Sequence, residues 1–133
     1  MKIDIFTLCD NAQEYNGKLV IVGTFNELFA GNFPATHPEM AIVARTIIEE
    51  EDPEEHELEI SAIKAETGEN ALLQPFKTQL STKGNKGKIV FSNLILRINN
   101  MVIQEPGKYI IKFRIDKLEK ETILNVRNVI VQK

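Results

Sequence analysis

The densest chemistry in the sequence is carboxylate chemistry. The segment EEEDPEEHELE gathers Glu49, Glu50, Glu51, Asp52, Glu54, Glu55, Glu57 and Glu59. Oxygen ligands at this density suit a hard cation such as calcium, with Glu50, Asp52 and Glu54 as the candidate ligands. The segment lacks the ligand and glycine spacing of an EF-hand, and no second loop completes a cage. A solvated loop of mutually repelling charges is the favoured reading, with a calcium site or a basic partner as the alternative. Abundance alone does not place two carboxylates across a substrate, so no general acid or base is assigned.

A second charged segment has the opposite sign. Lys77, Lys83, Lys86 and Lys88 surround the glycine-containing stretch STKGNKGK. Backbone donors of Gly84-Asn85-Lys86-Gly87 can cradle an anion, with Lys83 and Lys86 as the candidate cations, but the phosphate-loop pattern GxxxxGK[ST] is absent. A soluble hairpin tip is the stronger reading. Whether the acidic and basic loops meet within one molecule, orient a partner or do neither is open at this point.

His37 and His56 can each ligate a transition metal, yet they lie in different loop contexts and neither belongs to a ligand motif. His37 is expected to be held locally between Thr36 and Pro38. Cys9 has no CxxC partner and no neighbouring histidine, so a buried thiol is favoured over a nucleophile. As the only cysteine of the chain, it excludes an intrachain disulfide and a cysteine-held zinc or iron–sulfur site, which points to a reducing compartment.

The elements that position these groups are β-strands. Tyr109, Ile111, Phe113 and Ile115 alternate with Lys108, Lys112, Arg114 and Asp116, a half-wet strand entered through the turn residues Pro106-Gly107. Ile110 breaks the polar side and is a candidate contact residue. Residues 88–98 mix their phases, and either a bulge near Ser92-Asn93 or burial of both faces explains it. Further strands are expected at 2–9 with an exit at Asp10-Asn11, at 18–28 after the turn signal Asn16-Gly17, at 40–48, at 56–66 with Leu58, Ile60 and Ala62 alternating against Glu57, Glu59 and Ser61, and at 71–80 and 121–131. The 18–28 strand is apolar on both faces, which places it near the middle of a sheet, and Gly23 marks a bulge, bend or close backbone approach. Pro75 demotes 71–80 to an edge or bulged strand. The apolar end Val129-Ile130-Val131 is expected to dock. Residues 29–39 form the main irregular segment, where Phe29 and Phe33 either cap the core or form an exposed interaction patch.

This pattern, without a helical run, predicts an all-β chain. The expected architecture is a two-layer antiparallel β-sandwich, immunoglobulin-like, of about eight strands, with a barrel as the alternative. The 133 residues, 43% of them hydrophobic, fit a single domain spanning 1–133. The opening lacks a secretory signal, and no stretch is long and apolar enough to span a membrane, so a cytoplasmic protein without a membrane partner is expected. A net charge of −3, two tyrosines and no tryptophan disfavour a nucleic-acid partner.

The N-terminal half, LCDNAQEYNGKLVIVGTFNELF followed by FPATHPEMAIVAR, resembles the opening of a family of uncharacterised bacterial β-sandwich proteins. The elements that carry the resemblance are Leu8-Cys9-Asp10, Gly17-Lys18, Gly23-Thr24-Phe25 and Pro34-Ala35-Thr36-His37-Pro38. It implies a fold and no catalytic residue. The functional expectation is a non-catalytic interaction or structural module that needs no cofactor, with Phe29, Phe33, His37 and Ile110 as its candidate contacts. A sheet edge offers another route to a protein partner or homodimer, although Pro75 and the lysines oppose it. The alternative is a metal- or small-ligand-binding protein, with an enzyme less favoured.

Overall fold

The computed structural model describes residues 1–129, and their ordered elements are strands: β1 (Lys2–Tyr15), β2 (Lys18–Thr24), β3 (Glu27–Ala30), β4 (Ala35–Ile48), β5 (Glu55–Lys64), β6 (Phe76–Ser81), β7 (Val90–Ile103), β8 (Gly107–Ile115) and β9 (Leu118–Asn128). They form a four-stranded sheet, β2-β1-β4-β7, and a five-stranded sheet, β3-β9-β8-β5-β6. Leu8, Met40, Ile42 and Ala44 from the first sheet and Ile60, Ile111, Phe113 and Leu124 from the second share one buried cluster, so the sheets pack face to face. Full burial of each large side chain contributes about 1.5–3 kcal/mol.

Period-two alternation produces this core most cleanly in β8. Tyr109, Ile111, Phe113 and Ile115 are all buried, while Lys112 and Arg114 project outward. In β5, His56, Leu58, Ile60 and Ala62 are buried in the same rhythm. The outer face of this second sheet is charged, with Lys112 near Glu119 and Glu121 and Arg114 bonded to Glu59.

Several boundaries differ from the sequence reading. Among the described residues there are nine strands rather than about eight, because the 18–28 run breaks at Phe25-Asn26 and its end becomes β3. β3 pairs parallel to β9, so the sandwich is not wholly antiparallel. The 71–80 strand begins only at Phe76, after Pro75, and β6 is an edge as expected. Pro38 does not end a ladder but lies inside β4. It is accommodated because β1 pairs with β4 only as far as Ala41, leaving Pro38 without a neighbour on that side. Of the expected C-terminal docking segment, Ile130 and Val131 lie outside the described residues.

The largest difference concerns β1. It does not exit at Asp10-Asn11 but continues to Tyr15, where Asn16-Gly17 closes a two-residue hairpin with both residues at positive φ, 50° and 76°. Beyond Cys9 the strand leaves β4, and its carbonyls and side chains reach β7, two places away in the sheet. Arg97 donates to the Ala12 carbonyl at 2.9 Å, and Asn93 donates to the Glu14 carboxylate at 3.0 Å. The hairpin thus crosses the outer face of β4 and encloses a second apolar cluster of Cys9, Ala12, Ala41 and Val43, flanked by Leu19, Ile21 and Ile95.

That arrangement explains two misread segments. β7 pairs with β4 in one unbroken register from Val90 to Ile103, so Ser92-Asn93 carries no bulge. Its mixed phase reflects burial of both faces: Leu94, Leu96 and Ile98 meet the main core and Ile95 meets the hairpin. β2 is apolar on both sides yet is an edge strand, not a central one. Leu19 and Ile21 cover the second cluster, whereas Val20 and Val22 stay exposed. Gly23 makes the expected close approach, at φ +70° with the Asp10 carboxylate lying over it.

Phe113 is fully buried and packs its ring 5.9 Å from that of Phe6 across the two sheets. Phe113→Ala is expected to destabilise the fold by about 3–5 kcal/mol. The exposed Phe91→Ser is expected to stay within about 0.5 kcal/mol. Urea unfolding of both variants checks the contrast.

Candidate functional site

The candidate residues fall at opposite ends of the sandwich. At one end the β4–β5 loop carries the acidic segment and the β6–β7 loop carries the lysines. Their bases are tied together, since Thr82 donates its amide to the Glu54 carbonyl at 2.8 Å and Ser81 donates its hydroxyl to the Glu55 carboxylate at 2.8 Å. Between the loops lies a cleft of about 460 Å³ lined by Glu50, Asp52 and Glu54 on one side and by Lys86 and Lys88 on the other. The two charged segments therefore face one another within one molecule. Lys83 is exposed and does not line the cleft.

Asp52, one of the candidate cation ligands, already has partners. Its Oδ2 accepts from the Met1 amino group at 3.0 Å and from the Glu49 amide at 2.8 Å. The Met1 ammonium is the main cause that holds this carboxyl below its ordinary range. Among the described residues, no three His, Cys, Asp or Glu side chains converge as a metal-binding group.

Beside this end sits a pair that sequence spacing did not join. His56 is buried on the core side of β5, and its Nδ1 lies 2.6 Å from Oδ2 of Asp116 in the β8–β9 turn. The other oxygen of Asp116 accepts the Glu57 amide at 3.0 Å, and the Asp116 amide donates to the Glu57 carbonyl at 2.9 Å. Asp116 thus extends the β5 ladder by one residue while orienting the imidazole. The His56 Nε2 is buried without a partner. Burial alone raises the Asp116 pKa, but the Glu57 amide, the His56 ring and the Arg114 guanidinium outweigh it, and the net shift is downward.

At the other end, the four residues singled out for contact have unlike surroundings. Phe29 on β3 is 61% exposed. It pairs in register with Arg127, whose guanidinium bonds Glu27 at 3.2 Å, so a bare aromatic ring stands beside an ion pair. Phe33 is half-buried against the main core, just before β4. His37 is half-buried with its ring 5.9 Å from Phe25 and its Nε2 buried and unpartnered, so the expected local hydrogen bonding between Thr36 and Pro38 does not hold it. Ile110 is half-buried in a cross-strand row with Ile63 and Ile123 on the outer face of the second sheet.

Cys9 is fully buried beneath the hairpin, and burial pushes its thiol above the ordinary range, which removes nucleophilic character. Among the described residues no helix is long and apolar enough to cross a membrane.

Against this geometry, a family described as "Family of unknown function (DUF6941)" matches residues 4–127. The chain belongs to this family. The match runs from Asp4 in β1 to Arg127 in β9, so it takes in strands of both sheets. No curated protein and no solved structure matches the chain.

The Asp116 pair yields a pH dependence of defined sign. A carboxyl whose folded pKa is depressed stabilises the fold above its unfolded value, about 3.9, and that contribution is lost as pH falls through the folded value. Asp116→Asn is therefore expected to be less stable than the parent at neutral pH. The difference should shrink as pH falls below about 4. Thermal melts at stepped pH measure it, and a gap independent of pH would contradict the assignment.

Proposed function

We propose that the protein is a non-catalytic interaction module, an immunoglobulin-like sandwich of a bacterial family, working in the cytosol without a cofactor and docking a protein partner at Phe29. The exposure of Phe29 carries this reading. A large aromatic ring standing free beside the Glu27–Arg127 ion pair has the composition of an interface centre with a polar rim. β3 is only four residues long and sits at the edge of its sheet. The Phe29 ring is presented on a strand whose Leu28 packs on the main core.

Phe33, just before β4, is half-buried. Its contacts are with the core, which assigns it to positioning rather than to docking. Ile110 lies farther along the same outer face, in the row with Ile63 and Ile123, and extends the apolar area available to a partner. Net charge −3 favours a protein partner over a nucleic-acid backbone.

The two phenylalanines separate under substitution. Phe29→Ser is expected to reduce partner capture from an extract of the source cells, with the β-sheet spectrum and melting temperature unchanged. Phe33→Ser is expected to lower stability by about 1–3 kcal/mol. Quantitative affinity capture alongside circular dichroism reads both, and undiminished capture by Phe29→Ser would remove Phe29 from the interface.

A further inference from the structure

Strand β2 lies at a sheet edge although its residues suit a sheet interior. Its middle, Leu19-Val20-Ile21-Val22, contains no charge and no proline. The other edges are blunted: β3 has four residues, β6 follows Pro75 and carries Lys77, and β7 carries Arg97, Asn99 and the left-handed Asn100. Val20 and Val22 are 47% and 55% exposed. The two-residue turn also sets which backbone groups are free. Tyr15 and Lys18 close the hairpin as a hydrogen-bonded pair, so Gln13 with Val20 and Asn11 with Val22 are bonded in alternation. The amides and carbonyls of Leu19 and Ile21 therefore point away from β1, towards an edge that carries no strand among the described residues; beyond Val22 the phase reverses at Gly23, where φ is +70° and the Phe25 amide bonds the Leu8 carbonyl.

We propose that β2 is a self-association site that takes β2 of a second copy of this chain, antiparallel, about a two-fold axis at Ile21. In this register Ile21 pairs with its own counterpart and Leu19 with Gly23 of the second copy. The Ile21 pair then exchanges both of its N–H···O bonds across the axis. Val20 falls opposite Val22 of the second copy, twice over, so the exposed valines cover one another.

Charge opposes the parallel alternative. An antiparallel two-fold sets each Lys18 opposite Thr24 of the second copy. A parallel pairing sets lysine beside lysine. The proposal uses a surface separate from Phe29, so the two readings succeed or fail independently.

Sedimentation velocity of the full chain across the micromolar range tests it. The expected result is a concentration-dependent dimer, and a Val20→Lys/Val22→Lys variant that is monomeric over the same range with an unchanged spectrum and melting temperature. Mixing Val20→Cys with Val22→Cys chains under mild oxidation is expected to give the mixed disulfide in excess over either symmetric one. A parent chain that stays monomeric overturns the proposal, including the case in which β2 pairs only with another protein's strand. A dimer that survives the lysine pair, or a statistical distribution of disulfides, overturns it as well.

Discussion

Strand β4 is apolar on both faces, and the rest of the molecule is arranged to keep both faces dry. Met40, Ile42 and Ala44 face the second sheet, while Ala41 and Val43 face the opposite way and are equally buried. A single sandwich interface can cover only one of these faces. The other is covered by the chain itself, because β1 bends after Cys9 and carries the β1–β2 hairpin across the outside of the sheet. This one constraint accounts for the length of β1, the apolar inner side of β2, the buried position of Cys9 and the double-sided burial of β7.

The polar features follow from the same packing. Loops that leave a two-layer fold emerge at its ends, and the acidic and basic segments are brought to one end by the β5–β6 pairing that ties Glu54 to Thr82 and Glu55 to Ser81. His56 obeys the inward rhythm of β5 and so enters the core side with a titratable ring. Asp116 meets it there because Ile115 pairs with Leu58 and places the β8–β9 turn beside the start of β5. At the other end, Phe33 turns inward as the chain approaches β4, and the outward parity of β3 leaves Phe29 in solvent. The exposure of Phe29 is a consequence of strand parity.

Much of this was legible in the residues. The alternation of Tyr109 to Ile115 and of Leu58 to Ala62 assigned two strands and their buried sides, and Pro75 marked an edge correctly. Gly23 was legible as a bulge, bend or close backbone approach and Asn16-Gly17 as a turn, because positive φ and a missing Cβ are local requirements. The failures share a cause. Asp10-Asn11 reads as a strand exit because polar residues normally leave a sheet, yet the strand continues where one side is solvent and the other lies over apolar β4. Leu19 to Val22 reads as a central strand because sequence reports the apolarity of a face and not what lies against it.

Local chemistry in the sequence thus determined that the chain is all β, where most strands run and which side of several of them is buried, since alternation and turn residues act over a few neighbouring positions. Only the tertiary structure decided that β3 runs parallel to β9, that β2 is an edge, that His56 meets Asp116 across 60 residues and that Phe29 is exposed while Phe33 is not. Those outcomes depend on long-range register, which pairs residues by the burial of whole faces and leaves no mark on the spacing of nearby side chains.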